Sequence, residues 1–252
     1  MATRTAETSP LSVARLAGFL YLLDIPRGIF GGLSVASRLV VSGDGAATAN
    51  NIMASELLFR LGIVSNLLSP IVMLLVALVL YQLLKPVNQI MALLMVSFVV
   101  IGVPIAMLND LNHLAVLQLL SGADYLKVFT ADQLNALVLL FLRLHSRGGT
   151  IAFIFWGLWL FPLGYLVFKS GFIPKILGIL LMIGCFGYLV DSFAAFLLPD
   201  SKVSIALFTF WGEVLFPSWL LIKGVNVEQW KQRAAESARS ERLGTSFEPA
   251  PG

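Results

Sequence analysis

The stretch LGIVSNLLSPIVMLLVALVLYQLL, residues 61–84, runs for 24 residues without one charged side chain. As a helix it would be about 36 Å long at 1.5 Å per residue, enough to cross the ~30 Å hydrocarbon core of a bilayer. Its only breaker is Pro70, a residue that membrane helices accept more readily than soluble ones. Working outward, five more segments have the length and apolar character of a span: about 13–35, 90–108, 151–168, 176–198 and 203–222. Composition agrees. The chain of 252 residues is 58% hydrophobic and 12% charged, against the roughly 25% charged residues of soluble domains, and its mean hydropathy is +0.88. The sequence therefore predicts an all-α fold, a polytopic integral membrane bundle of six transmembrane helices over residues 11–222. A disordered N-terminus, 1–10, and a cytoplasmic basic tail, 223–252, partly helical and then disordered, are expected to flank it.

Lys and Arg counts orient the spans. With the N-terminus cytoplasmic, that side holds ten: Arg4, Arg15, Lys85, Lys169, Lys175, Lys223, Lys231, Arg233, Arg239 and Arg242. The other side holds five, Arg38, Lys127, Arg143, Arg147 and Lys202. The reading is a multi-pass protein of the cell membrane with both termini cytoplasmic. The net charge of +3 does not point to nucleic acid, because the basic residues sit at span ends and in the tail, not on one soluble face. The expected partners are the lipid bilayer and a small-molecule or lipid ligand.

Local signals add detail. Ser9 and Pro10 read as the start of the first helix, with Pro in its first turn. That helix is expected to be an uncleaved span, since its apolar run meets Asp24, Pro26 and Arg27 instead of a small-residue cleavage site. Gly43, Asp44 and Gly45 mark a turn before a helix that leads into the second span. In the long connection 109–150, Thr130 and Gln133 have capping-box spacing; the helix they start is expected to be interfacial or packed, leading through Gly148 and Gly149 into the fourth span. Residues 227–243 suit a short surface helix, read as a solvated positive tail.

The stretches ARLAGFLYLL, SRLVVSGDGAATANNIMASELLFRLGIVSNLL, LYQLLKPVNQIMALLM, QLLSGADYL and FKSGFIPKILGILLMIGCFGYLVDSF resemble an uncharacterised bacterial membrane-protein family, domain of unknown function 4386. They are spread over most of residues 13–198. The resemblance implies a multi-span membrane protein. It brings no activity or catalytic residues with it.

Function has to be sought among charges that lipid makes costly, roughly 2.5–3.5 kcal/mol each at the centre of a span. Asp24 and Arg27, three residues apart, can neutralise each other. Pro26 between them frees a backbone carbonyl. By helical rise from Arg15 and Lys202, Asp24, Arg27 and Glu213 lie near the midplane. Arg60, Asp110 and Asp191 lie toward the outer leaflet, as do Asn109, Asn112 and His113, and Asp110 and His113 share a helical face. Asp24, Arg27, Arg60, Asp110, His113, Asp191 and Glu213 are thus the candidate ligand-binding residues, expected around a polar cavity open to the outer side. Two cations against four carboxylates leave acids that are expected to be protonated, hydrated or paired with another group, such as Arg143 or His113. Pro26, Pro70, Pro104, Pro162 and Pro217 put one breaker in each of five spans, as kinked packing or as hinges.

No catalytic residue is assigned, because the chain has no Gly-x-Ser-x-Gly, no His-Glu-x-x-His and no Gly-rich phosphate loop. Cys185 is the single cysteine, so a Cys-based metal site is excluded. A metal set of Asp110, His113, His145 and Asp191 competes with hydrogen-bonded interfacial histidines; the second reading is preferred, and no metal or cofactor is expected. The leading function is a membrane protein that binds or transports a small molecule, lipid or ion. An intramembrane hydrolase using Asp110, His113 and Asp191 and a non-catalytic accessory subunit are the alternatives.

Overall fold

The computed structural model describes residues 9–28, 30, 35–198 and 204–245, and among them it contains helices and no strand. The helices are α1 (Pro10–Gly28), α2 (Val35–Leu39), α3 (Gly45–Ala54), α4 (Glu56–Leu84), α5 (Gln89–Asn109), α6 (Leu111–Leu119), α7 (Ala131–Leu158), α8 (Leu160–Ser170), α9 (Lys175–Leu197), α10 (Ala206–Thr209), α11 (Trp211–Ile222) and α12 (Val227–Thr245). A 3₁₀ turn, Asp124–Val128, precedes α7. Capping residues set several starts as their chemistry requires. The Asp44 carboxylate accepts from the Ala47 amide to open α3, and Asn88 does the same for α5 through Met91. Thr130 and Gln133 form the reciprocal capping box of α7. Residues 1–8 and 246–252, where disorder was expected, lie outside the described residues.

Among the described residues, four helical stretches are long and apolar enough to cross a membrane: Glu56–Leu84, Gln89–Leu119, Ala131–Ser170 and Lys175–Leu197. Two expected spans are of another kind. α1 carries Arg15, Asp24 and Arg27 within its 19 residues, and Ala206–Ile222 is shorter and breaks between α10 and α11. Both pack on the bundle, α1 against α4 and α11, and α10 and α11 against α9.

The third and fourth expected spans are longer than their sequence limits. α5 continues past the joint at Asp110 into α6. The helix from Ala131 runs straight through Gly148 and Gly149 to join α8, giving 40 residues and about 60 Å, twice a hydrocarbon core. The separate packed helix expected before the fourth span is the upper part of this rod. Two cores result. One lies within the bundle around Leu80, Met95, Trp159, Leu163, Leu181 and Phe216. The other, of Val35, Leu39, Ile52, Phe59, Ile63, Val116 and Val138, joins α2, α3 and α6 to the starts of α4 and α7 as a cap.

Close backbone contact fastens the bundle where α8 meets α9. A methyl added at Gly164 would stand 2.6 Å from the Gly178 carbonyl oxygen, and one at Gly178 would stand 2.5 Å from that of Gly164. The opposite end from the cap carries Lys85, Lys169, Lys175 and Lys223 at helix ends. Here α12 departs from the solvated tail expected of it. The Trp230 indole donates to the Leu83 carbonyl at 2.8 Å and packs on the bundle core, while Arg233 donates to the Lys169 carbonyl at 3.3 Å. One aromatic residue in a polar helix supplies the anchor.

Candidate functional site

Asp110 stands at the joint between α5 and α6, the C-cap of one and the N-cap of the other. An Asp at a helix N-cap ordinarily turns its carboxylate onto the first amides. This one makes no such bond. Its Oδ1 lies 3.0 Å from His113 Nδ1, 3.9 Å from His145 Nδ1 and 3.4 Å from the Asn66 amide nitrogen. Asp110 is only 3% exposed. Among the described residues its ionisable partners within salt-bridge distance are the two histidines, with no Lys or Arg.

Three elements assemble this cluster. The α5–α6 joint contributes Asn109, Asp110, Asn112 and His113, α7 contributes His145, and α4 contributes Asn66 and Phe59. The two imidazoles stack with centroids 3.6 Å apart and planes 29° from parallel. Phe59 meets His113 edge-on at 5.3 Å. The Asn109 side chain donates to the His145 carbonyl at 2.8 Å, with its nitrogen also 3.3 Å from His145 Nδ1, and Asn112 donates to both oxygens of Asn109. Gly148 makes this crossing feasible: a Cβ there would collide with Asn109 Oδ1. One donor atom from each of Asp110, His113 and His145 lies within 4.8 Å of the others.

The 21 residues of α5 put Asp110 about 32 Å from the Lys-rich end. The cluster therefore sits one hydrocarbon thickness up, where the bundle core gives way to the cap.

The other sequence candidates have different surroundings. Asp24 accepts from the Ser69 hydroxyl at 3.1 Å; nothing is described of the Arg27 side chain, so the expected Asp24–Arg27 pairing lies outside the described residues. Glu213 accepts from the Tyr21 hydroxyl at 2.8 Å, beside Trp159. Asp191 binds the start of α10, accepting from the Ile205 and Ala206 amides at 2.7 and 2.9 Å. Arg60 forms a half-exposed pair with Glu56 one turn away on α4. Of the seven, Asp110 and His113 come together, and His145, which the sequence placed outside any span centre, completes their cluster. Two cavities, of about 640 and 520 Å³, border α12 at the Lys-rich end, lined by Tyr81, Lys85 and Trp230 in one and Lys175, Trp219 and Lys223 in the other.

Comparison with known proteins gives a family and no activity. An "Uncharacterized protein" of the archaeon Archaeoglobus fulgidus is 49% identical over 74 residues, 29% of this chain and 44% of that relative, so the match spans less than half of its length. No solved structure matches the chain. The model of a domain of unknown function, DUF4386, matches residues 16–224, a range that holds α4 to α11 and every residue of the cluster. On that match the chain belongs to the DUF4386 family.

Proposed function

We propose that this protein is a six-pass protein of the cell membrane, with α1 and α10–α11 as its first and last spans, that binds a small polar or ionic ligand at the Asp110–His113–His145 cluster. The observation that carries the reading is a buried carboxylate whose ionisable partners are imidazoles. A structural ion pair so buried in protein would be served by a fixed cation; Asp110, 3% exposed, instead faces groups that bind ligands. The carboxylates of Asp24 on α1 and Glu213 on α11 accept bonds from within the bundle, from Ser69 and Tyr21, which supports both helices as spans. The excess of Lys and Arg at the α12 end supports a cytoplasmic tail and an outward-facing cap, so that the ligand arrives from outside.

Single-cysteine labelling tests this reading in a Cys185→Ala background, with a membrane-impermeant maleimide. Lys127→Cys is expected to label in intact cells and Gln232→Cys only after lysis. Labelling of both from the same side would rule out six spans with a cytoplasmic tail. Asn112→Cys, at the cluster, is expected to label from outside. If it stays unlabelled in folded protein while Lys127→Cys reacts, the cluster is sealed and the binding reading fails.

A further inference from the structure

We propose that Asp110, His113 and His145 bind a divalent first-row transition-metal ion, an inference that names the ligand class for the site proposed above and rests on that reading for its access route. A carboxylate oxygen and two imidazole nitrogens on three helical segments form a mixed O,N donor set. At metal–ligand distances of 2.0–2.2 Å, tetrahedral donors lie roughly 3.4 Å apart. The separations here, 3.0 Å from Asp110 Oδ1 to His113 Nδ1 and 3.9 Å to His145 Nδ1, straddle that value. The separation between the two histidine donors lies within 4.8 Å, so side-chain shifts on the order of 1 Å would close the set around an ion.

The surroundings have the features of a built site. Asn66 donates to the Asp110 carboxylate from a neighbouring helix, and Asn109 fixes the His145 backbone through its carbonyl. Such outer partners fix ligand direction and raise affinity. Phe59 walls the His113 ring on one side and His145 stacks against it. Two imidazoles disfavour Mg²⁺ and Ca²⁺, which take mainly oxygen donors. Three protein donors also leave a coordination position open for water or a second ligand, unlike the closed four-ligand sets of structural zinc.

The test uses the full chain without a histidine tag, purified in mild detergent and stripped with EDTA. Zn²⁺ titration against a chromophoric chelator should give one tight equivalent, and Co²⁺ should develop visible ligand-field bands that Zn²⁺ removes and excess Mg²⁺ or Ca²⁺ leaves unchanged. His113→Ala, His145→Ala and Asp110→Asn should each weaken binding about 100-fold or more; Asp124→Asn, an exposed acid of the cap, should not. X-ray absorption of the Co²⁺ form of the wild-type chain should show two imidazoles, a readout that survives if a variant misfolds. Absence of a tight equivalent, variants that bind as well as wild type, or a metal without imidazole ligation would each overturn the proposal. Outcomes for the two readings separate. Labelled Asn112→Cys with no metal overturns this inference and leaves a solvent-reached site, whereas a tight metal with unlabelled Asn112→Cys supports the metal and overturns entry from outside.

Discussion

Gly148 and Gly149 are neighbours in one helix and should answer the same substitution in opposite directions. Gly→Ala in a helix interior gains about 0.8–1 kcal/mol from propensity alone. At Gly149 the nearest neighbour of an added Cβ is Asn109 Nδ2, an ordinary contact at 3.8 Å, so Gly149→Ala should keep that gain. At Gly148 the Cβ falls on Asn109 Oδ1 and the carboxamide has to move. Its bonds to the His145 carbonyl and from Asn112 contribute about 1 kcal/mol each, and overpacking adds about 1–3 kcal/mol. Gly148→Ala should therefore lose about 2–4 kcal/mol net. The gap between the two variants, about 3–5 kcal/mol, corresponds to a Tm difference on the order of 10 °C. Thermal unfolding in one detergent, followed by tryptophan fluorescence, measures it. Asn109→Ala in the Gly148→Ala background removes the colliding group and should recover at least about 1 kcal/mol beyond additivity. Equal stabilities of the two glycine variants, within about 1 kcal/mol, would refute the crossing geometry that brings α7 to the cluster.

Three further outcomes follow from contacts elsewhere. Trp230→Ala should free α12 at a cost of about 2 kcal/mol, read as trypsin cleavage at Lys231 and Arg233 at least about tenfold faster than in wild type; Trp230→Phe should keep most of the protection. Tyr21→Phe and Glu213→Leu should show a coupling of about 0.5–1.5 kcal/mol in a double-mutant cycle of unfolding, as expected of a buried hydrogen bond; a coupling near zero would mean that the two side chains do not share their bond. Gly164→Ala, with its methyl 2.6 Å from the Gly178 carbonyl oxygen, should part α8 from α9 and lower the unfolding midpoint by several degrees.

The helical class, the capping box at Thr130, the turn at Asp44 and the tail helix were all legible in the sequence, because they depend on composition or on residues within one turn of each other. Helix length was less so. Two adjacent glycines usually signal a break, yet α7 passes through Gly148 and Gly149, where the missing side chain lets Asn109 approach from another helix. Periodicity carries no information on such crossings. Residue type grouped His145 with Asp110, His113 and Asp191; that His145, 32 positions from His113 in the chain, is the one to join them follows from the crossing of α7 with the α5–α6 joint. His145 and Gly148 lie three apart on one helical face, a side chain able to ligate beside a space for a partner. Charge counting left more carboxylates than cations because neutral donors are invisible to it: Asp191 accepts from two backbone amides and Glu213 from a tyrosine.

Those donors divide the acids by what they can do. A hydroxyl or an amide satisfies a carboxylate with a directed hydrogen bond and keeps its own proton, so Glu213–Tyr21 and Asp191 at the start of α10 fix helix positions. An imidazole offers a lone pair that an ion can take in place of a proton. Asp110 is the acid of this set whose neighbours are two such rings, and it sits where the bundle core meets the cap. Its surroundings are also adjustable: the α5–α6 joint frees the carboxylate from capping, and Asn66 and Asn109 hold the ligands by neutral amides that tolerate a change of charge beside them. Exchange of a ligand is therefore expected at the joint, and rigidity below it. Replacing Ser69 with Ala should lower stability and leave metal affinity as it was, while Asp110→Asn should remove metal binding with the helical content intact; the reverse pattern would place the site inside the bundle.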